Sequence, residues 1–154
     1  MSISYPKTLT SLRAQWRHNA EGKGAHCPVC DRWGKVYKRR LNPTMLASLA
    51  WLKSVSSIST PSKWVDVQTL APKSVLRTKQ LASLRWWGLV EPCKTGEGKG
   101  LWRLTLLGWD FLAKKASVHE YVHVYNSEVL WASGDLVQYD ETKTEGQALA
   151  RLVL

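Results

Sequence analysis

An α+β fold is predicted for this chain, on three observations. Apolar residues recur at helical spacing in several stretches, β-branched and aromatic residues alternate in others, and a glycine-lysine tip joins two of the latter. The 154 residues fit one domain with an elaborated end, or one domain with a small appendage. Hydrophobic residues make up 44% and there are nine tryptophans, so a large aromatic payload must be buried or presented at an interface.

The first helix is predicted over Thr8 to Asn19, with Leu9, Leu12 and Trp16 at positions i, i+3 and i+7, and Gly22-Lys23-Gly24 ends it. His26-Cys27-Pro28-Val29-Cys30 follows. Trp33 to Arg40 then reads as a short strand with a basic face, through Lys35-Val36-Tyr37-Lys38. Asn42-Pro43 is a helix-start signal, with Asn as N-cap and Pro at the first helical position. The helix over Thr44 to Ser54 places Met45, Leu49 and Leu52 on one face, with Leu46 and Ala50 beside it. Ser54 to Ser62 is a serine-rich loop, and Trp64 to Ala71 is a short strand running into a second helix whose Val67 and Leu70 point inward.

Pro72-Lys73-Ser74 opens a further helix that runs to about Trp87. Leu81, Leu84 and one of Trp86 or Trp87 fall at core spacing, and Lys73, Arg77, Thr78, Lys79, Gln80 and Arg85 share the opposite side. Gly88 ends that helix as a left-handed C-terminal cap. Leu89-Val90 begins a strand, Lys94 to Gly100 is the tip with Gly96, Gly98 and Gly100, and Leu101 to Leu106 returns. The last part changes character: Val118 to Tyr125 is a strand, Asn126-Ser127 a turn, and Val129-Leu130-Trp131 a returning strand. A third short strand is expected around Leu136 to Tyr139 and a helix over Thr144 to Leu154.

The formal net charge of +10 is unevenly spread. Residues 1–60 carry ten Lys/Arg against two acids, residues 61–115 ten against four, and residues 116–154 two against six. A basic body with an acidic end suits a surface that faces phosphates, because neutralising phosphates releases condensed counterions. An anionic membrane or an acidic protein would suit it too. No apolar run approaches the roughly 20 residues that span a bilayer, and Met1 to Thr10 lacks a signal-like apolar centre. A cytoplasmic protein is expected. The segments divide as a basic arm at 1–41, a central domain at 42–115 and an acidic extension at 116–154.

The order helix–turn–helix, strand, basic tip, strand, helix resembles a winged-helix domain over residues 44–115. The resemblance rests on that order, on Arg85-Trp86-Trp87-Gly88-Leu89-Val90, and on the Leu-Thr-x-x-Gly junction in Leu104-Thr105-Leu106-Leu107-Gly108-Trp109-Asp110-Phe111-Leu112. It is similar to the small winged-helix proteins of bacteriophages and mobile elements, some with a Cys-Pro-x-Cys knuckle ahead of the domain. The resemblance implies a winged helix-turn-helix core, an N-terminal Cys knuckle and a small C-terminal β-rich extension. It also implies a non-catalytic protein that binds double-stranded DNA and regulates transcription, with a recognition helix in the major groove.

Under that reading Arg77 and Gln80 reach bases, Arg to guanine and Gln to adenine, while Lys73, Thr78 and Lys79 hold phosphates. Lys94 and Lys99 bring the tip to the backbone or minor groove. Ser74, Arg85 and Arg103, with Lys38, Arg39 and Arg40 of the basic arm, complete the nucleic-acid-binding set. The extension would dimerise the chain or recruit a partner. Fold alone does not give function, and a second reading uses the same surface, with exposed tryptophans as anchors, to grip a host or phage protein. A third is a module for RNA or unpaired strands. Core filling is expected of Trp16, Trp51, Trp64 and Trp109, and surface exposure among Trp33, Trp86 or Trp87, and Trp102.

Cys27-Pro28-Val29-Cys30 resembles one knuckle of a zinc ribbon, in which thiolates at i and i+3 share a tetrahedral ion. No second C-x-x-C exists, so His18, His26, Cys93, His119, His123 or a second subunit would supply the remaining ligands. The alternatives are a reduced, metal-free turn and a redox pair, the latter without the strand-to-helix setting it needs. His119-Glu120-Tyr121-Val122-His123 matches the zinc-protease pattern H-E-x-x-H, but its β-branched surroundings predict a strand. There residues four apart are separated by roughly 13 Å along the chain, too far to share an ion. No glycine-rich phosphate loop, catalytic serine motif or carboxylate pair is present, so an enzyme is not indicated.

Overall fold

The computed structural model describes residues 8–56, 63–95 and 100–142. The described chain is α+β, with short helices and three small sheets, ordered β1-β2 (Ala25–His26, Trp33–Gly34), β3-β7-β8 (Tyr37–Arg40, Val118–Tyr125, Glu128–Val137) and β4-β6-β5 (Val65–Asp66, Leu101–Leu104, Val90–Pro92). Contacts divide it into two compact units, Met1–Arg39 with Val122–Ala132, and Arg40–Tyr121 with Ser133–Leu154. The divisions fall near residue 39 and inside the last hairpin. A hairpin's two strands are bonded to each other residue by residue, so its tip and its base can belong to different units.

In the first unit, α1 (Leu9–Ala20) is capped by Thr8, whose Oγ1 accepts from the Ser11 amide at 3.1 Å. Strands β1 (Ala25–His26) and β2 (Trp33–Gly34) pair antiparallel, with Ala25 opposite Gly34 and His26 opposite Trp33. The expected strand over 33–40 is broken: Val36 turns inward and donates its amide to the Ala20 carbonyl at 2.8 Å, and β3 (Tyr37–Arg40) starts after it. Ala20, Val36, Val122 and Val124 are the buried apolar residues among the described ones of this unit.

In the second unit, Asn42 accepts the Met45 amide at 2.9 Å and caps α2 (Pro43–Val55), which buries Met45, Leu46, Leu49 and Leu52. After the undescribed residues 57–62 come β4 (Val65–Asp66) and α3 (Val67–Leu70). Asp66 caps α3 by accepting the Thr69 amide and hydroxyl. Val67 is buried as expected, but Leu70 is 58% exposed, because α3 is a single turn and its end already leaves the core.

The long helix expected over 73–87 is three pieces: α4 (Lys73–Thr78), α5 (Gln80–Ser83) and a 3-10 turn (Leu84–Trp87). Lys79 breaks it with φ of 55°, in the left-handed region. Leu81, Leu84 and Trp87 are buried, and Trp87 Nε1 donates to the His119 carbonyl at 2.8 Å, so Trp87 rather than Trp86 is the core residue. Gly88, with φ of 72°, caps the 3-10 turn.

Strands β5 (Val90–Pro92) and β6 (Leu101–Leu104) pair antiparallel, and β6 also pairs with β4. Thr105 then caps α6 (Leu106–Leu112). Its Oγ1 accepts the Gly108 amide at 3.0 Å and donates to the Gly88 carbonyl, while its own amide donates to the Leu89 carbonyl at 3.1 Å. A Cβ added at Gly108 would stand 2.1 Å from the Leu89 carbonyl oxygen. The Leu-Thr-x-x-Gly stretch is therefore a clamp between one strand and one helix.

Strand β7 (Val118–Tyr125) turns at Asn126-Ser127, both with positive φ as a two-residue hairpin turn requires, into β8 (Glu128–Val137). The third strand expected at 136–139 does not form separately. Leu136 and Val137 finish β8, and Tyr139 is buried edge-on against Phe111, with ring centroids 6.0 Å apart. The helix expected over 144–154 lies outside the described residues. No described helix is long and apolar enough to cross a membrane.

Gly108→Ala is expected to cost roughly 3 kcal/mol or more, because the clash is with backbone that cannot rotate away. Gly22→Ala, whose nearest neighbour would lie 3.8 Å away, should stay within about 0.5 kcal/mol. Thermal unfolding of the two variants beside the parent checks the pair, and equal melting temperatures would refute the clamp.

Candidate nucleic-acid interface

On α4, Lys73 and Arg77 are four residues apart and both exposed, with Ser74 exposed beside them and Val75 buried on the other side. Thr78 is half-buried and its hydroxyl donates to the Val75 carbonyl at 3.2 Å, so it is committed to its own helix. The left-handed Lys79 is exposed at the joint. Gln80 opens α5, half-buried, with its Oε1 3.5 Å from Asn42 Nδ2 at the start of α2. Arg85 is exposed and lies over the Trp86 ring, 5.8 Å from its centroid. One run of chain therefore carries Lys73, Ser74, Arg77, Lys79 and Arg85 outward in the second unit.

The strand pair contributes less than expected. Arg103 is held between Trp64, whose ring centroid is 4.1 Å from the guanidinium carbon, and Glu91, which accepts from its Nε at 2.5 Å. Its charge is spent on β5 and β6. Lys94 is exposed, and Lys99 lies outside the described residues. On β3 all four residues are exposed. Arg40 donates through Nε to Glu120 at 2.8 Å, and Arg39 lies 5.4 Å from the Tyr37 ring centroid.

The tryptophans sort differently from their sequence assignment. Trp16, Trp51, Trp64 and Trp109 are half-buried rather than core, Trp86 and Trp102 are half-buried too, and Trp33 is 52% exposed. Trp131, unmarked in the sequence, is 39% exposed and stacks on His123 with centroids 4.3 Å apart and planes 14° from parallel. The two rings lie on the neighbouring strands β8 and β7, so the stack is made by strand pairing.

Cys27 and Cys30 lie on the turn that joins β1 to β2. The Cys27 amide donates to the Arg32 carbonyl and the Asp31 amide to the Cys27 carbonyl, both at 2.8 Å, with Asp31 at φ of 61°. The Val29 amide points at Cys27 Sγ from 3.4 Å. The Cys30 amide and then the Val29 amide pull the Cys27 thiol below its ordinary range, with a smaller contribution from Arg13. His26 Nδ1 is 2.9 Å from the Asp31 carbonyl and 3.6 Å from its carboxylate. Cys93 Sγ is 3.0 Å from Thr95 Oγ1, whose hydrogen bond lowers that thiol.

Two thiolates do not complete a tetrahedral site, and no group of three or more His, Cys, Asp or Glu that could hold an ion occurs among the described residues. His119 and His123 lie on strand β7, with His119 Nδ1 3.1 Å from the Gly134 carbonyl, so they are not paired on one helix face. Compared with protein-family models, curated proteins and solved structures, the chain matches none.

With its pKa lowered, Cys27 keeps its thiolate to lower pH in the folded chain than in the unfolded one. Alkylation in the presence of a chelator, followed by peptide mapping, should give a Cys27 rate profile displaced to lower pH relative to the same cysteine in urea. Coincident profiles would show that the turn amides do not stabilise the thiolate.

Proposed function

We propose that the chain is a non-catalytic protein that binds double-stranded DNA through a winged helix-turn-helix spanning α2 to α6. The observation that carries this reading is the sheet order β4-β6-β5, in which the strand before the helix pair rejoins the returning strand of the hairpin. A helix-turn-helix followed by such a sheet leaves α4 and the Lys79 joint as the exposed approach to a duplex. Helix α2 packs on α5 from behind.

The charge pattern supports the same surface. Lys73, Arg77, Lys79 and Arg85 are exposed in succession, and none of the four is seen in an ion pair among the described residues. Arg77, at the end of α4, suits bidentate contact with guanine, and Gln80 suits adenine once it gives up its contact with Asn42. Lys73, Lys79 and Lys94 suit phosphates, which orient the protein without reading sequence. Arg103 takes a supporting part, because it braces the strand pair.

A salt-titrated binding assay against random and selected duplexes tests the reading. Arg77→Ala should weaken the preferred duplex tenfold or more, about 1.4 kcal/mol, and flatten the preference. Lys73→Ala should weaken all duplexes alike and lower the log–log salt slope by about 1. Feeble binding, equal on every duplex and unmoved by either change, would refute duplex recognition by this surface and favour a protein partner.

A further inference from the structure

Within the first unit lies an open cleft of about 350 Å³, walled by Trp16, Trp33, Tyr37 and Tyr125 and bordered by Arg32 and Lys35. Among the described residues no carboxylate lines it. Its rings are set by backbone geometry more than by burial. A Cβ at Gly24 would stand 2.4 Å from Trp33 Cζ2, and one at Gly34 would stand 2.4 Å from Trp16 Cζ2. Both glycines let an indole lie directly on the chain. Trp16 is further locked by its Nε1, which donates to the Ala25 carbonyl at 2.8 Å, and by Tyr125, edge-on at 5.5 Å. Trp33, braced edge-on by His26 at 5.0 Å, keeps half of its surface in solvent.

The aromatic surface continues along β7. His123 is two residues from Tyr125, hence on the same face and roughly 7 Å along the strand, and Trp131 stacks on it. Burial, and then the nearby Lys38 charge, push the His123 imidazole pKa down, which favours a neutral ring. Cations flank the strip: Lys35 and Arg39 both lie over Tyr37, at 5.6 and 5.4 Å. The described residues of this unit carry seven Lys/Arg against three acids.

We infer that this aromatic strip is a stacking platform for single-stranded DNA, separate from the duplex-binding surface proposed for the second unit. The exposed Trp33 and Trp131 rings offer faces for unpaired bases, and the flanking cations offer contacts for the phosphates between them. Paired bases are already stacked and cannot enter. The excess of positive charge selects an anionic chain.

The test measures tryptophan fluorescence and affinity of the full chain with three probes: a twelve-nucleotide oligo(dT), a hairpin duplex, and oligo(rU) of the same length. Oligo(dT) should quench the fluorescence. Trp33→Ala should weaken the binding about tenfold, Trp33→Phe should retain most of it, and Arg32→Glu with Lys35→Glu, which reverses the rim charge and keeps Trp16 and Trp33, should also weaken it tenfold or more. Duplex affinity should stay within threefold in the Trp33 variants. Oligo(dT) binding that survives both the ring and the charge changes would overturn the inference. So would an equal loss on the duplex in a folded Trp33→Ala protein, or a tenfold preference for oligo(rU). Loss of duplex binding in Arg77→Ala with oligo(dT) binding intact would show that the two sites act independently.

Discussion

The backbone-to-backbone contact between Gly108 and Leu89 is the constraint on which the second unit depends. It brings the first turn of α6 against the chain that leaves the 3-10 turn, at a distance no side chain permits. Thr105 closes the same junction, capping α6 with its oxygen while its hydroxyl and amide engage Gly88 and Leu89. With that corner fixed, β5 and β6 have only one register, and β6 is presented to β4 on its other edge. Phe111 and Leu112 then complete the buried cluster with Leu49, Leu52, Leu84 and Leu89. Positions of the exposed cations on α4 and at its Lys79 joint follow from that packing, because Val75 and Leu81 are the residues that the core holds.

Positive charge in this protein is divided between bracing and presentation. Arg103 and Arg40 are engaged by Glu91 and Glu120, and each also lies over an aromatic ring, Trp64 and Tyr121. Exposed ion pairs of this kind contribute little to stability, about 1 kcal/mol or less, but they orient long side chains along their strands. Lys73, Arg77 and Lys79 stay outward on a short helix and its joint. A left-handed lysine at that joint is an uncommon conformation for a residue with a Cβ, and it ends α4 before α5 begins. The division of labour therefore rests on backbone path, not on residue type.

In the first unit, glycine has a different use. Gly24 and Gly34 allow indoles to lie on the backbone itself, so an aromatic surface is built with very little core: Ala20, Val36, Val122 and Val124. The Cys27–Cys30 turn closes β1 onto β2 and points amides at one thiol, an arrangement that favours the thiolate with or without an ion. A hydrophobic patch rimmed by cations is a feature that folded monomers seldom keep without a partner.

Local signals were enough to locate most elements. Asn42-Pro43 starts α2, Thr8 starts α1, Asn126-Ser127 turns the last hairpin, and Leu-Thr-x-x-Gly marks the strand-to-helix junction, because capping and positive-φ turns depend on residues within one turn of chain. Met45, Leu49 and Leu52 were likewise legible from period alone. The break at Lys79, the inward turn of Val36 and the outward Leu70 were not, since each is set by where a distant surface stops. Nor could sequence separate Trp87 from Trp86, or find the Trp131–His123 stack, which depends on hairpin register. It marked Arg103 as a cation but not as one committed to Glu91 and Trp64. Side-chain chemistry and local backbone preference are properties of the chain itself, whereas exposure, pairing and the choice of which ring is buried arise only when remote segments compete for the same contacts.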